Sequence, residues 1–327
     1  MRGIIHLIFI LCGGVLFSST ASALTTHDCT LTKPVLINYG SQSSVVVNTT
    51  SQTQVFNVQI SCPIVLAVAA PGSIGITYTK STTTSGSRAL LTNGTTDSIP
   101  IQLVCVTPTC SPAVEIGVTG TQSIPSSTFL GLLTNQQYSL PLSVNTIVGQ
   151  SVAAGTYSTT LTVTISWNIC TAGALVLCIN NDTGTDTLVI PVTLVVTNDC
   201  ATITAPDINF GSAPVAGSFS SQANTITLVC TKGATYTVGI NNGLHASGGV
   251  RNMLNGTTNL LSYDIYQSTS NNRWGSVGSQ RWSSTAATTT SADTMTKTYN
   301  YVAKIFPNQT TPPAGLYTDT LIVDVAF

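Results

Sequence analysis

The residues of this 327-residue sequence whose type and spacing most directly promise chemistry are its nine cysteines, and the chemistry is disulfide formation. One of them, Cys12, falls in an N-terminal stretch with the form of a secretory signal. Arg2 gives a positive start, Ile4 to Phe17 an apolar run, and Ala21-Ser22-Ala23 a small-residue cleavage site. Cleavage after residues 1–23 starts the mature chain at Leu24 and leaves Cys29, Cys62, Cys105, Cys110, Cys170, Cys178, Cys200 and Cys230. An even number in an exported chain implies pairing in an oxidising compartment. No C-x-x-C pair occurs and the mature chain holds only His27 and His245, so the pattern fits no zinc site. No metal or cofactor is expected.

Other chemistries find little to work with. Glu115 is the only glutamate, His245 has no triad motif around it, and no G-x-S-x-G stretch exists, so catalysis is not expected. Charged residues make up 6% of the sequence and the formal net charge is −1. Phosphate neutralisation needs a basic stripe, and the sequence has none, which excludes nucleic acid as a partner. After the signal, no stretch approaches the roughly 20 consecutive apolar residues of a membrane-spanning helix.

The elements that carry the cysteines come in two copies. DCTLTKPVLINYGS begins at Asp28 and DCATITAPDINFGS at Asp199. FNVQISC then closes on Cys62, and ITLVC on Cys230. SGSRALLTNGTT around Arg88 is answered by SGGVRNMLNGTT around Arg251, and AGTYSTTLTV with Tyr157 by AGLYTDTLIV with Tyr317. Each block is a short alternating run rich in Val, Ile, Thr and Tyr between Gly, Asn, Pro and Ser clusters. The pattern predicts an all-β protein, two immunoglobulin-like sandwiches in tandem, at 24–197 and 198–327. Tyr157 and Tyr317, each after Ala-Gly, read either as tyrosine corners or as ordinary strand residues.

Eight cysteines allow 105 connectivities. Equivalent positions in the two copies suggest Cys29 with Cys62 and Cys200 with Cys230. Local pairing of Cys105 with Cys110 and of Cys170 with Cys178 is the simplest arrangement of the rest.

The copies end differently. In the second, Leu321, Val323, Val325 and Phe327 share one face and the sequence stops. In the first, the matching strand ends near Trp167 and a further hairpin follows, whose second arm alternates through Leu188, Ile190, Val192, Leu194 and Val196. The second sandwich is therefore expected to lack its last strand. Such a gap leaves an apolar groove and an unpaired edge, which a strand from another chain covers by β-augmentation. The other reading is that a segment within 268–296 closes it. Only Leu24 to Asp28 precede Cys29, so the chain reads as accepting a strand without giving one, a position at the end of a fibre with the first domain outermost.

DCATITAPDINFGS, ITLVCTKG, the R-x-M-L of Arg251 to Leu254, LSYDIY and AGLYTDTLIV resemble the spore coat protein U domain, found in the pilins of archaic, Csu-type chaperone–usher pili. The resemblance is strong over 199–327 and weaker over 28–168, and the pair resembles the two-domain tip adhesin of such pili. It implies a periplasmic chaperone, an outer-membrane usher and an adjacent pilin donating a strand as partners, export through the periplasm, and a place at the pilus tip on the cell surface. The implied activity is attachment to biotic or abiotic surfaces and biofilm formation. A structural pilus or spore-coat-like subunit is the alternative.

Where the first copy has grown marks its binding loops. The growth lies in PIVLAVAAPG, with Val65, Leu66 and Val68. Two more special stretches are the Cys105–Cys110 loop followed by IPSSTFLGLL, with Phe129, Leu130, Leu132 and Leu133, and CTAGALVLC, with Leu175, Val176 and Leu177. In immunoglobulin order these connections share one pole, facing away from the second domain. Three readings stand: exposed apolar fingers, buried connectors, or a polar glycan pocket.

Overall fold

The computed structural model describes residues 29–33, 36–63, 66–68, 72–125, 136–174 and 177–327. The signal segment and Leu24 lie outside them, as do Val65, Phe129, Leu130, Leu132, Leu133, Leu175 and Val176. The protein is all-β and consists of two pilin-type immunoglobulin-like units in tandem.

The first unit runs through β1 (Thr30–Thr32), β2 (Ile37–Ser43), a short helix α1 (Ser44–Thr49), β3 (Thr53–Cys62), β4 (Leu66–Val68), β5 (Ser73–Ser81), β6 (Thr84–Ser85) and β7 (Arg88–Thr92). It continues with β8 (Ser98–Cys105), β9 (Val114–Ile116), β10 (Thr121–Pro125), β11 (Gln136–Thr146), β12 (Gly155–Ala174) and β13 (Leu177–Thr197). One layer has the order β1-β3-β11-β8-β7, and the other β10-β5-β12-β13-β2. Among the described residues a single bridge, Ser158 to Thr92, joins them along one seam. Alternation decides what fills the space between. Val58 and Ile60 of β3, Ile74 and Ile76 of β5, and Val163 and Ile165 of β12 all point inward and are buried.

Helix α1 forms from SVVVNT, a β-branched run with poor intrinsic helix preference. Ser43 caps it by accepting from Val46 N, and Val47 is buried in the core, so packing overrides propensity.

The second unit comprises β14 (Cys200–Thr204), β15 (Gln222–Cys230), β16 (Thr237–Ile240), β17 (Arg251–Asn255), β18 (Asn259–Gln267), β19 (Trp282–Ser283), β20 (Thr289–Thr290), β21 (Thr296–Ile305) and β22 (Val323–Ala326). One layer is β14-β15-β21-β18-β17, and the other β19-β16-β22. Its core is aromatic: Trp274 and Trp282 stand edge to face at 4.9 Å, and Tyr299 packs 5.3 Å from Trp282. Leu254 and Thr318 form the seam bridge, at the positions equivalent to Thr92 and Ser158.

Only Asn198 and Asp199 separate β13 from β14. The units meet there through Lys232, whose ammonium pairs with Asp97, and through Ser44 Oγ, 2.6 Å from Thr231 Oγ1. Asp97 also accepts from Ala153 N at 2.9 Å. Burial alone would raise its carboxyl, but the Lys232 hydrogen bond, the Ala153 amide and the ammonium charge hold it below the usual carboxylate range.

Four disulfides link Cys29–Cys62, Cys105–Cys110, Cys170–Cys178 and Cys200–Cys230. The first and last pin the opening strand of each unit to β3 and β15.

Candidate functional site

Among the described residues, two regions of exposed apolar side chains follow from how a strand ends. The first is a groove of about 650 Å³ along the second unit. Its rims are the segment Ala205–Gly211 on one side and Gly315–Leu321 with Val323 on the other, and Ile226, Leu261 and Tyr301 lie among its lining.

The first unit shows what would fill such a groove. There β13 runs antiparallel to β12 and parallel to β2, with Val192 beside Ile37. Leu188, Ile190, Val192, Leu194 and Val196 of β13 are all buried, and so are Ile37 and Tyr39 of the adjacent β2. The equivalents of Ile37 and Tyr39 are Ile208 and Phe210, which are only half-buried, and among the described residues the segment carrying them pairs with no strand. Phe210 leans edge-on against Tyr263 at 6.0 Å.

Among the described residues, β22 pairs with β16 alone. The segment 268–296 does not close the gap: Trp282–Ser283 joins the far side of β16, and Thr289–Thr290 joins β21. The reading in which this segment completes the sandwich is therefore overturned.

The four residues expected at the open edge divide. Leu321 and Val323 line the groove. Val325 and Phe327 lie beyond it: Val325 is half-buried against the core, and the Phe327 ring rests 5.7 Å from Tyr236.

One groove residue escaped the hydrophobic pattern because it is charged. Asp319 stands on the rim with its side chain turned inward. Its Oδ2 accepts from Tyr263 OH at 2.7 Å, and its Oδ1 accepts from Leu244 N at 2.9 Å and His245 N at 3.3 Å. Asn241 Oδ1 accepts from Ile322 N at 2.9 Å, so two polar side chains tie residues 241–245 to the rim below β22. Burial first, and then the bond to Asp319, raise the Tyr263 phenol far above its ordinary value. The signal available in sequence was parity: Asp319 falls in step with Tyr317, Leu321 and Val323.

The second place is the far end of the first unit. The expected ending of the strand near Trp167 is corrected. Strand β12 continues to Ala174 and pairs with β13 nearly to its tip, Ala174 opposite Leu177, with register shifts around Ala172 that let the hairpin bend. Cys170–Ala174 and Leu177–Cys178 of CTAGALVLC thus lie at the end of a hairpin of 20- and 21-residue strands. The Cys170–Cys178 bond crosses it, and Asn180 Nδ2 donates to Thr171 Oγ1 at 2.8 Å. Lower down, buried Asp182 accepts from Trp167 Nε1 at 3.2 Å and Cys29 N at 3.0 Å, fastening the hairpin to the first disulfide.

Strand β4 lies parallel beside this tip, Leu66 opposite Ala172 and Val68 opposite Ala174. The structure thereby brings residues 66–68 and the hairpin together. Leu177 is 72% exposed, and so is its unanticipated neighbour Ile179, at 86%. Ile179 lies just past the cysteine that closes the loop, outside the apolar stretch that the sequence marks.

The Cys105–Cys110 loop stands apart. Val106 N bonds Pro141 O and Thr109 Oγ1 bonds Ser139 O, so the loop lies along the flank of β11, short of that strand's distal end at Gln136. The chain then adds β10 to the edge of β5 before residues 126–135, which lie outside the described residues. Its flank position corrects the expectation that this disulfide loop shares the pole.

The tyrosines settle as corners. Tyr157 OH donates to Ala153 O at 2.9 Å and Tyr317 OH to Pro313 O at 2.7 Å, the same four-residue step back in each copy.

A family model described as the spore coat protein U domain matches residues 15–164 and 186–324. No curated protein matches the sequence. Among solved structures, the chain is similar to the chaperone–tip adhesion subunit pre-assembly complex of archaic chaperone-usher Csu pili from Acinetobacter baumannii. The identity is 24% and the TM-score 0.62, over 91% of this chain and all of that one. The CupB6 tip adhesin of Pseudomonas aeruginosa aligns at 9% identity and TM-score 0.37, over 91% of this chain and 94% of its own.

Proposed function

The chain belongs to the spore coat protein U domain family, and on that premise we propose that it is the tip adhesin of a chaperone–usher pilus, joined to the fibre by a strand inserted into the second unit. The observation that carries this reading is the pairing of a filled and an open groove in one chain. In the first unit β13 completes the sandwich, and in the second the same rims and floor stand open. An inserted strand would run antiparallel to residues 317–325 and parallel to 207–211, as β13 runs against β12 and β2. A periplasmic chaperone would hold the groove during export and an outer-membrane usher would pass the subunit to the cell surface. The adjacent pilin would then supply the final strand. The solved neighbour named as a tip subunit bound to its chaperone supports this reading of the fold.

In this proposal 24–197 is the adhesive domain and 198–327 the anchoring one. Contact with a surface is made at the pole where β4 and the tip of the β12–β13 hairpin meet, with Leu177 and Ile179 in the described part of that apolar surface. Each such side chain contributes at most about 1.5–3 kcal/mol when fully covered. Many fibres engaging together multiply a weak single contact. Attachment to abiotic or biotic surfaces and biofilm formation follow from that avidity.

Two double variants, each scored for fibre abundance and for attachment to hydrophobic material, test both halves. Val323→Asp with Leu321→Asp puts charge in the groove, and chaperone-bound subunit and fibres should both disappear. Leu177→Asp with Ile179→Asp should leave fibres at wild-type abundance and reduce attachment severalfold. Normal fibres from the first variant would end the strand-acceptance reading. Undiminished attachment by the second, competed by a soluble sugar, would replace the apolar contact with a glycan site.

A further inference from the structure

Many alternating strands are apolar enough to fill a groove of this size, and one of them, β13, belongs to the chain itself. What the groove of the second unit would accept can be taken from the first by register. Ala154–Trp167 aligns without a gap on Ala314–Phe327. The alignment is anchored in three dimensions by the two tyrosine corners and the two seam bridges. In the first unit Leu194 lies opposite Tyr157, Val192 opposite Thr159, Ile190 opposite Leu161 and Leu188 opposite Val163. The counterparts on the open rim are Tyr317, Asp319, Leu321 and Val323. Three of the four keep their character. The fourth replaces a buried threonine with a carboxylate.

That carboxylate is held in place and incompletely used. A carboxylate has about four acceptor positions. Leu244 N and His245 N occupy two on Oδ1, and Tyr263 OH one on Oδ2. Asp319 also lines the groove, so an inserted strand would pass against it. A valine there, as in β13, would strip water from the carboxylate and return no hydrogen bond. A hydroxyl or amide side chain would donate to it.

Resting on the strand-acceptance reading, we infer that Asp319 is the specificity residue of the groove. It selects a donor strand that is apolar opposite Tyr317, Leu321 and Val323 but carries a hydrogen-bond-donating side chain opposite Asp319. The same residue turns away the β13 strand of a second copy of this chain, whose Val192 would fall there.

Three synthetic peptides decide the matter, each binding to the full mature chain and read by fluorescence polarisation. They are Asp186–Asn198 as it stands, its Val192→Thr form, and its Ile190→Thr form. Threonine has the shape of valine, so the first change exchanges one methyl for a hydroxyl. The Val192→Thr peptide should bind about tenfold tighter than the unaltered one, and the Ile190→Thr peptide about tenfold weaker. In an Asp319→Thr chain, the preference at position 192 should vanish or reverse. If that variant fails to fold, the peptides on the wild-type chain still decide. Equal or weaker binding of the Val192→Thr peptide, with the Ile190→Thr penalty intact, overturns the inference and spares strand acceptance. Absence of binding by all three overturns strand acceptance and the inference with it.

Discussion

The two units share their seam bridge, their tyrosine corner and their opening disulfide, yet one encloses its core and the other leaves part of it open. In the first, β13 lies between β12 and β2, and the inward-facing Leu188 to Val196 of β13 and Ile37 and Tyr39 of β2 are buried. In the second, Leu321, Val323, Ile208 and Phe210 are half-buried around a groove. One strand therefore separates a unit that closes its own sandwich from one whose groove stands open.

The comparison is sharpened most by supplying the strand. A chain extended beyond Phe327 by a flexible linker and the sequence of Asp186–Asn198, carrying Val192→Thr, holds its own donor at millimolar effective concentration. If that exceeds the dissociation constant a thousandfold, the second unit gains about 4 kcal/mol. Its melting transition should then rise on the order of 15 °C or more while that of the first unit stays fixed. Calorimetry showing no separate shift would mean that the groove is not an unfilled strand position.

Next come two arginines one position out of register, Arg88 answering Val250 and Arg251 answering Ala89. Arg88 pairs with Glu115 at the surface, where both side chains are well solvated. Arg251 is fully buried and donates to Asp264 and to the carbonyl oxygens of Ile240, Asn241 and Trp274. Removing it strands those carbonyls, although Arg273 remains on Asp264. Arg251→Ala should cost about 3 kcal/mol in urea unfolding, and Arg88→Ala less than about 1 kcal/mol. Similar costs would mean that the buried network is replaced by water.

How much of this could be read from residue order depends on what each feature needs. The repeat, the closing strand through Leu188 to Val196 and the unfilled groove rest on alternation, which is local and survives without coordinates. So do the disulfide partners, since equivalent cysteines in the two copies and short loops gave the pairs the structure joins. Three features needed tertiary context. The helix at Ser44–Thr49 contradicts the preference of its valines. The flank position of Cys105–Cys110 depends on β9 and β10 carrying the chain across to the other layer. Asp319 is invisible to a search for apolar residues, although its parity marks it as inward. Ile179 lies outside the disulfide loop in sequence, and only the continuation of β13 past Cys178 places it at the exposed end.

The smallest expected difference tests how alike the two corners are. Tyr157 is buried, and its hydroxyl meets the Ala153 carbonyl beside the joint where Asp97 and Lys232 connect the units. Tyr317 makes the matching bond to Pro313 at an exposed position. Phenylalanine at either site deletes one hydroxyl and leaves one carbonyl without its donor. At Pro313 water takes the vacated place, so Tyr317→Phe should cost less than about 0.5 kcal/mol. At Ala153 water has poorer access, and Tyr157→Phe should cost about 1–2 kcal/mol. Parallel urea titrations of the two variants measure the difference. Equal losses would show that the outer corner is shielded as well as the inner one, and the openness of the second unit would then be confined to its groove.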